Sequence, residues 1–227
     1  MRLRYSIKKA QSPIIAVAIH DGHAIDDALS PYIALQEHER FREEDPYTGY
    51  LADLPVNQIV VASSRFQTDL NRRREKAVYR LPEDAWGLQV WRSELPETLV
   101  TQLLADYDGF YRDVAQLLGD TIRQFGKFVV LDIHSYNHRR DAAGQEANAV
   151  DNPEINIGTV HNHGKWKAMG QRLISYLSYH QVMGRHPDIR ENVKFGGGGF
   201  SEWINQRHGE HGCVFSLEFK KTFMDEW

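Results

Sequence analysis

The sequence has almost no cysteine: Cys213 is the only one among 227 residues. A disulfide within the chain is therefore impossible, and a zinc site built from several cysteine thiolates is excluded. A fold that does without disulfides suits a reducing compartment, and we expect this protein to act in the cytoplasm.

Long apolar segments and an excess of positive charge are also missing. The apolar run at residues 14–19 is too short to span a bilayer, and no small-residue cleavage site follows it. Lysine and arginine together number 27 against 31 acidic residues, which gives a formal net charge of -4 at pH 7. We therefore expect no membrane segment, no secretory signal and no nucleic-acid partner.

Short apolar segments alternate with amphipathic segments along the chain, and 41% of the residues are hydrophobic. Short apolar runs predict buried strands, and apolar residues at helical spacing predict helices that pack on them. The predicted strands cover residues 14–19, 57–62, 128–133 and 213–219. The predicted helices cover residues 29–42, 99–125, 165–183 and 201–207. This alternation predicts an α/β fold with a mostly parallel sheet, in one domain over residues 1–227.

Two of the predicted strands run into histidines. His134 follows the strand at residues 128–133, and His20 and His23 follow the strand at residues 14–19. Ligand sites of α/β folds lie at one edge of the sheet, so these strand-end histidines are candidates for a common site.

The candidate histidines are of the right type for a metal site. Neutral imidazole binds zinc well, and a catalytic zinc ion commonly has three protein ligands, of which one is often a carboxylate. The acidic run at residues 43–45 offers such a carboxylate. The alternative is that each histidine is a hydrogen-bonded residue of the core or of a loop.

A polar loop follows the predicted strand at residues 57–62. Arg65, Asn71 and Arg72 can converge there on a carboxylate, because guanidinium groups bind carboxylates through two parallel hydrogen bonds. The alternative is a surface loop in which the arginines pair with Asp69.

Glu218 lies inside the last apolar run, at residues 214–219. If its side chain is buried, its pKa should rise, which suits a general base that takes a proton from an attacking water. The alternatives are a glutamate that faces solvent or one that forms a structural ion pair with Lys220.

Five short motifs occur in a fixed order along most of the chain. They are residues 17–22, 65–72, 131–135, 217–221 and 224–226. Together they resemble the N-formylglutamate amidohydrolase family, a relative of the zinc carboxypeptidases and the aspartoacylases. The resemblance implies a three-layer α/β fold of the zinc-carboxypeptidase type (phosphorylase/hydrolase-like), with a mostly parallel or mixed central sheet and helices on both faces.

The resemblance also implies roles for the candidate residues. One zinc ion would be held by His20, Asp45 and His134, with His23 and Glu44 as substitute ligands. His23 stands where the carboxypeptidases and aspartoacylases have a glutamate ligand. The other implied roles are stabilisation of the oxyanion by Arg65, binding of the substrate carboxylate by Asn71 and Arg72, and general base catalysis by Glu218.

The function implied is that of a zinc hydrolase acting on the linear amide of a small acidic N-acyl amino acid. N-formylglutamate is the substrate that gives the family its name. A first alternative is a zinc carboxypeptidase or deacylase acting on a peptide or another N-acyl amino acid, and we expect residues 137–156 to decide between these substrates. A second alternative is a binding or regulatory module that has kept the fold without catalysis.

Overall fold

A seven-stranded mixed sheet forms the centre of the molecule. It is seen in a computed structural model that describes residues 2–140, 144–145, 147–224 and 226. Asp225, in the last of the five motifs, lies outside the described residues. So do residues 141–143 and 146, in the segment expected to decide the substrate.

The four central strands of the sheet are parallel to one another. The strands are β1 (Tyr5–Lys8), β2 (Ile14–Ala18), β3 (Asn57–Val61), β4 (Phe128–Tyr136), β5 (Ile155–Gly158), β6 (Ile189–Glu191) and β7 (Gly212–Lys220). Their order across the sheet is β1-β3-β2-β4-β7-β5-β6. β3, β2, β4 and β7 form the parallel centre, whereas β1 and β5 run antiparallel to their inner neighbours. β6 pairs with β5 in the parallel direction.

The four strands predicted from the sequence are these four central strands. Both faces of a parallel strand are covered by other elements, so its sequence is a continuous apolar run. The prediction missed β1, β5 and β6, which have 4, 4 and 3 residues and lie toward the two edges of the sheet. Short strands of this kind have too few residues to show a clear apolar pattern.

Helices cover both faces of the sheet, as the resemblance implied. They are α1 (Glu37–Glu43), α2 (Thr48–Leu51), α3 (Glu97–Phe125), α4 (Met169–Tyr179) and α5 (Gly199–His208). On one face, Phe110 of α3 and Phe200 of α5 share a core with Val130 and Val214 of the sheet. On the other face, α2 contacts β2 and β4, and α4 contributes to a core around Phe215. The α/β fold with helices on both faces is therefore confirmed.

Two predicted helices are longer than the observed ones. Residues 29–32 form turns, Ile33 forms an isolated bridge with Trp91, and α1 begins only at Glu37, so the first half of the predicted helix at residues 29–42 is wrong. Leu29 and Leu35 enter a second core with Trp91 instead, and this burial produces apolar spacing without a helix. The predicted helix at residues 165–183 is likewise too long, because α4 covers only its middle.

The sheet face under α3 changes from apolar to polar along β4 and β7. Residues two apart on a strand point to the same face, so Asp132 and His134 of β4 lie on one side. In the register of the two strands, Asp132 is beside Ser216 and His134 is beside Glu218. From their midpoints toward their carboxyl ends, two central strands thus carry polar side chains that lie next to one another. β4 also continues to Tyr136, so His134 lies within the strand and not after it as predicted.

α3 is the longest helix, with 29 residues, and it lies across the main core. It ends at Gly126, whose φ of 69° is in the left-handed region that favours glycine. Its buried face carries aromatic and aliphatic side chains, and its other face is charged. Among the described residues, no helix combines the length and the apolarity needed to cross a membrane.

Phe110 on α3 provides a test of this core. Its side chain is fully buried, and its ring centre lies 5.2 Å from that of Tyr5 and 6.2 Å from that of Phe200. We expect Phe110→Ala to lower the free energy of unfolding by about 3–5 kcal/mol, because the truncation loses buried apolar area and leaves a cavity. Urea denaturation followed by circular dichroism measures this loss.

Gln102→Ala is the matched control, because Gln102 lies on the exposed face of the same helix. It should change the free energy of unfolding by less than about 0.5 kcal/mol. A similar loss in both variants would contradict the packing described for α3.

Candidate functional site

Two histidines and one aspartate form a buried group at the carboxyl end of the central strands. The ligand atoms of His20, Asp45 and His134 all lie within 4.8 Å of one another. Oδ2 of Asp45 is 2.9 Å from Nδ1 of His134 and 3.4 Å from Nδ1 of His20. All three side chains are almost completely buried.

The backbone brings these three residues together from separate parts of the chain. His20 follows the end of β2 by two residues, and His134 lies in β4, which pairs with β2 in parallel. Asp45 comes directly after the residue that caps α1, and its backbone N–H donates a 2.9 Å hydrogen bond to the carbonyl of His20. The loop after α1 is thereby tied to the loop after β2, which positions the carboxylate between the two rings.

Each histidine is held from behind by a second buried aspartate. Nε2 of His20 donates to Asp69 at 2.8 Å, and Nε2 of His134 donates to Asp132 at 2.9 Å. An ionised carboxylate only accepts hydrogen bonds, so these nitrogens carry protons and the Nδ1 atoms face Asp45. Metal-binding histidines commonly have such carboxylate partners, which fix the ring and its tautomer.

The pKa values of Asp45 and His134 are shifted in opposite directions, and their mutual contact contributes to both shifts. Burial alone would raise the pKa of Asp45, but the hydrogen bond with His134 and the charges of His134 and His20 lower it below its ordinary range. Burial would lower the pKa of His134, yet the carboxylates of Asp132 and Asp45 raise it well above the ordinary value. Asp45 is thus ionised at neutral pH, and the two rings present their Nδ1 atoms to a negative centre.

These residues fit a divalent metal ion. Nδ1 of His20 is buried and has no hydrogen-bond partner among the described atoms, which is costly unless another group binds it. Two imidazoles and one carboxylate are a ligand set that catalytic zinc uses. Ligands at ordinary zinc distances in a tetrahedron would be about 3.3 Å apart. The two distances between Asp45 and the histidines are close to that value.

We call His20, Asp45 and His134 the metal-type group. Glu218 lies beside this group, on the strand next to that of His134. It is the register partner of His134, and its side chain lines the same cavity. Burial is the main cause that raises the pKa of Glu218, to about 7, and the nearby carboxylates of Asp45 and Asp132 add to it. A carboxyl group with a pKa near neutrality can both accept and release a proton at physiological pH.

Arg65 reaches the cavity from the loop after β3. One of its terminal nitrogens donates to Asp69 at 2.8 Å, and the other donates to the backbone carbonyl of Glu43 at 3.1 Å. The charge of Asp69 raises the pKa of Arg65 despite burial of the guanidinium. Asp69 therefore holds both His20 and Arg65, and it links the metal-type group to a fixed positive charge.

Asn71 and Arg72 line the cavity beside Arg65. The side-chain oxygen of Asn71 accepts a 3.1 Å hydrogen bond from the backbone N–H of Phe200, which joins the loop after β3 to the start of α5. Arg72 is half-exposed, and its nearest acid is Asp69, 3.8 Å away. The two residues are placed where a ligand could reach both.

The two substitute ligands lie apart from the group. Nδ1 of His23 is 2.5 Å from Glu44, and the other ring nitrogen of His23 faces Arg40 at 3.1 Å. Glu44 also accepts a hydrogen bond from the hydroxyl of Ser64. Neither His23 nor Glu44 lines the cavity that holds the metal-type group. The two residues instead form a local structural pair.

The cavity has a volume of about 460 Å³ and contains residues that the sequence analysis did not select. Trp86 lies under three guanidinium groups, at 4.8 Å from Arg65, 5.4 Å from Arg140 and 5.9 Å from Arg72. Lys194 also lines the cavity. One missed role had a visible signal, since Asp132 is an acid inside an apolar run, two residues before His134. Trp86, Arg140 and Lys194 had none, because loops far apart in sequence supply them.

Two solved structures resemble this chain in fold. N-formylglutamate amidohydrolase from Ralstonia eutropha JMP134 matches with a TM-score of 0.75 and 12% identity, over 98% of this chain and 88% of that chain. A gene product from Agrobacterium tumefaciens matches with a TM-score of 0.67 and 16% identity, over 97% of this chain and 85% of that chain. At these identities the likeness shows the shared fold. A comparison with curated protein sequences finds no match.

A family model gives the relationship at the level of sequence. The model of the N-formylglutamate amidohydrolase family matches residues 12–224. This range includes every residue that lines the cavity, from His20 to Lys221. The resemblance carried by the sequence motifs is thus confirmed, and the chain belongs to the N-formylglutamate amidohydrolase family.

Proposed function

We propose that this protein is a zinc-dependent hydrolase that cleaves the linear amide bond of a small acidic N-acyl amino acid, with N-formylglutamate as the first candidate. The observation that carries the proposal is the buried group of His20, Asp45 and His134, which shares one cavity with Glu218 and Arg65. Membership of the amidohydrolase family supports an amide as the substrate.

Zinc is proposed because the donor set consists of two imidazoles and one carboxylate, and three protein ligands are typical of catalytic zinc. When bound, the ion would lower the pKa of water toward neutrality and polarise the amide carbonyl. Asp69 and Asp132 would keep the two rings oriented toward it.

Glu218 is the proposed general base and acid. It would take a proton from the attacking water and later deliver that proton to the leaving nitrogen. Its pKa of about 7, raised chiefly by burial, suits both transfers at neutral pH. Its position beside His134 on the next strand supports this role, because attack must occur next to the metal ligands.

Arg65 would oppose the negative charge that develops on the amide oxygen during attack. Asp69 and the carbonyl of Glu43 already hold its guanidinium, so no reorientation is needed when substrate arrives. Asn71 and Arg72 would bind the substrate carboxylate, which orients the amide against Glu218.

The proposal includes one catalytic domain over residues 1–227 that acts in the cytoplasm. One sheet supplies the site, with His20 after β2 and Glu218 near the end of β7, so residues from both ends of the chain are needed. Cys213 is buried and free, which suits a reducing compartment.

Release of free amine from N-formylglutamate tests the proposed reaction. The zinc-loaded protein should turn the compound over and contain about one zinc ion per chain. We expect His134→Ala to lose metal and activity together, because a ligand and its hydrogen bond to Asp132 are removed. Metal analysis and amine detection on the same samples measure both. His163→Ala, at an exposed histidine, is the control and should keep both.

A panel of N-acetyl amino acids and short peptides in the same assay separates the alternatives. Turnover of these compounds without turnover of N-formylglutamate would favour a carboxypeptidase or another deacylase. A protein that binds no zinc and turns over none of the compounds would contradict the enzyme and favour a non-catalytic module.

Glu218→Gln tests the proton-transfer role separately from metal binding. We expect kcat to fall by roughly a hundred- to ten-thousandfold, because the amide cannot accept the proton. Zinc content should stay at the wild-type level, since Glu218 is outside the ligand group. Glu210→Gln, at an exposed position, is the matched control. Wild-type turnover in Glu218→Gln would rule out this residue as the base.

A further inference from the structure

Lys194 is a cation of the cavity that has no acidic partner within 4.0 Å among the described residues. Its Nζ donates a 2.8 Å hydrogen bond to the side-chain oxygen of Asn152 and lies 5.8 Å from the centre of the Tyr136 ring. Neither neighbour is charged, and Lys194 is only partly exposed. An ammonium group in this setting gains most from an anionic ligand, since a charge-assisted hydrogen bond is stronger than a neutral one.

The other cations of the cavity differ in how far they are already bound. Three have partners in the protein: Asp69 for Arg65, Glu43 for Arg140, and the backbone carbonyls of Arg42 and Glu44 for Lys221. Arg72 is half-exposed, and its nearest acid, Asp69, is 3.8 Å away, which is too far for a hydrogen bond. Within the described part of the cavity lining, Arg72 and Lys194 are therefore the cations most available to a ligand.

Asn156 gives the loop that carries Lys194 a fixed shape. The Asn156 side chain is completely buried, and its oxygen accepts hydrogen bonds from the backbone N–H groups of Val193 and Lys194, at 2.9 and 2.8 Å. Its amide nitrogen donates to the carbonyl of Phe195 at 2.8 Å. A buried side chain thus holds three consecutive residues, and the position of Lys194 is set before any ligand binds.

Lys194 and Arg72 are in loops that follow strands on opposite sides of β4, the strand that carries His134. Arg72 is in the loop after β3, and Lys194 is in the loop after β6, with β4 between them in the strand order. Tyr136, which lies under Lys194, is two residues beyond His134 on the same face of β4. The two available cations therefore flank the place where the amide would react.

We propose that Lys194 binds the side-chain carboxylate of the substrate and so selects N-acyl derivatives of dicarboxylic amino acids over those of neutral ones. The inference rests on the proposed function, in which Asn71 and Arg72 bind a substrate carboxylate, taken here as the α-carboxylate. The two carboxylates of such a substrate diverge from one carbon atom, which matches two cations on opposite sides of the reacting amide. One carboxylate alone would leave Lys194 without a charge partner.

Hydrolysis of N-formyl-L-glutamate and of N-formyl-L-glutamine, which has nearly the same shape without the side-chain charge, tests Lys194. Wild type should prefer the glutamate compound. We expect Lys194→Met to lower kcat/KM for that compound by roughly ten- to a hundredfold, through KM, because one charged hydrogen bond is lost. The value for the glutamine compound should stay within about twofold of wild type.

Two variants keep this test specific. Lys194→Arg retains a positive charge and should retain the preference for the glutamate compound. Lys220→Met is the matched control, because Nζ of Lys220 also donates to Asn152, at its backbone oxygen, but does not line the cavity. It should leave both kcat/KM values unchanged. Thermal melting of each variant checks that the fold is kept.

The outcomes separate this inference from the proposed function. Equal losses for both compounds in Lys194→Met, or no preference in wild type, would overturn the role of Lys194 and leave amide hydrolysis standing. If neither compound turns over, the proposed reaction fails. Binding of L-glutamate and L-glutamine, measured by calorimetry, then tests the role of Lys194. A loss of affinity in Lys194→Met that is confined to glutamate supports this role, and an unchanged affinity for glutamate overturns it.

Discussion

Each histidine of the metal-type group is held by a hydrogen bond to a buried aspartate, and the site depends on these two bonds. Because Asp69 and Asp132 accept hydrogen bonds from the Nε2 atoms, the Nδ1 atoms of both rings are directed at Asp45. The same Asp69 also fixes Arg65, so one carboxylate positions a proposed metal ligand and the proposed oxyanion partner. Buried carboxylates would be costly if unpaired, and here each is matched by a ring or a guanidinium.

The sheet explains why these charges can be buried at all. β2, β4 and β7 are parallel neighbours, and their apolar first halves pack against α3 and α5. Only toward the carboxyl ends do polar side chains replace apolar ones, where the strands open into loops. The rigid centre therefore fixes His134 and Glu218 in register, while loops from both sides supply the charges that we propose bind substrate.

The sequence predicts the centre of this molecule better than its edges. The parallel strands are readable because two-sided burial favours mostly apolar runs, whereas β5 and β6 are too short to show a pattern. The strand-end pattern selected His20 and His134, the family resemblance added Asp45 as the third ligand, and the structure brings the three together. The partnership of Asp69 with His20 spans 49 residues, and Lys194 reaches the cavity through a loop shaped by Asn156. Such contacts depend on tertiary packing, and no local periodicity encodes them.

The central claim is that one zinc ion binds between His20, Asp45 and His134, through the ring nitrogens that their aspartate partners leave free. Anomalous diffraction at the zinc absorption edge, from crystals grown with zinc, tests it most directly. The account predicts one strong peak about 2.0–2.2 Å from Nδ1 of both histidines and from a carboxylate oxygen of Asp45. A peak bound instead by His23 and Glu44, or the absence of any ordered zinc at this group, would contradict it.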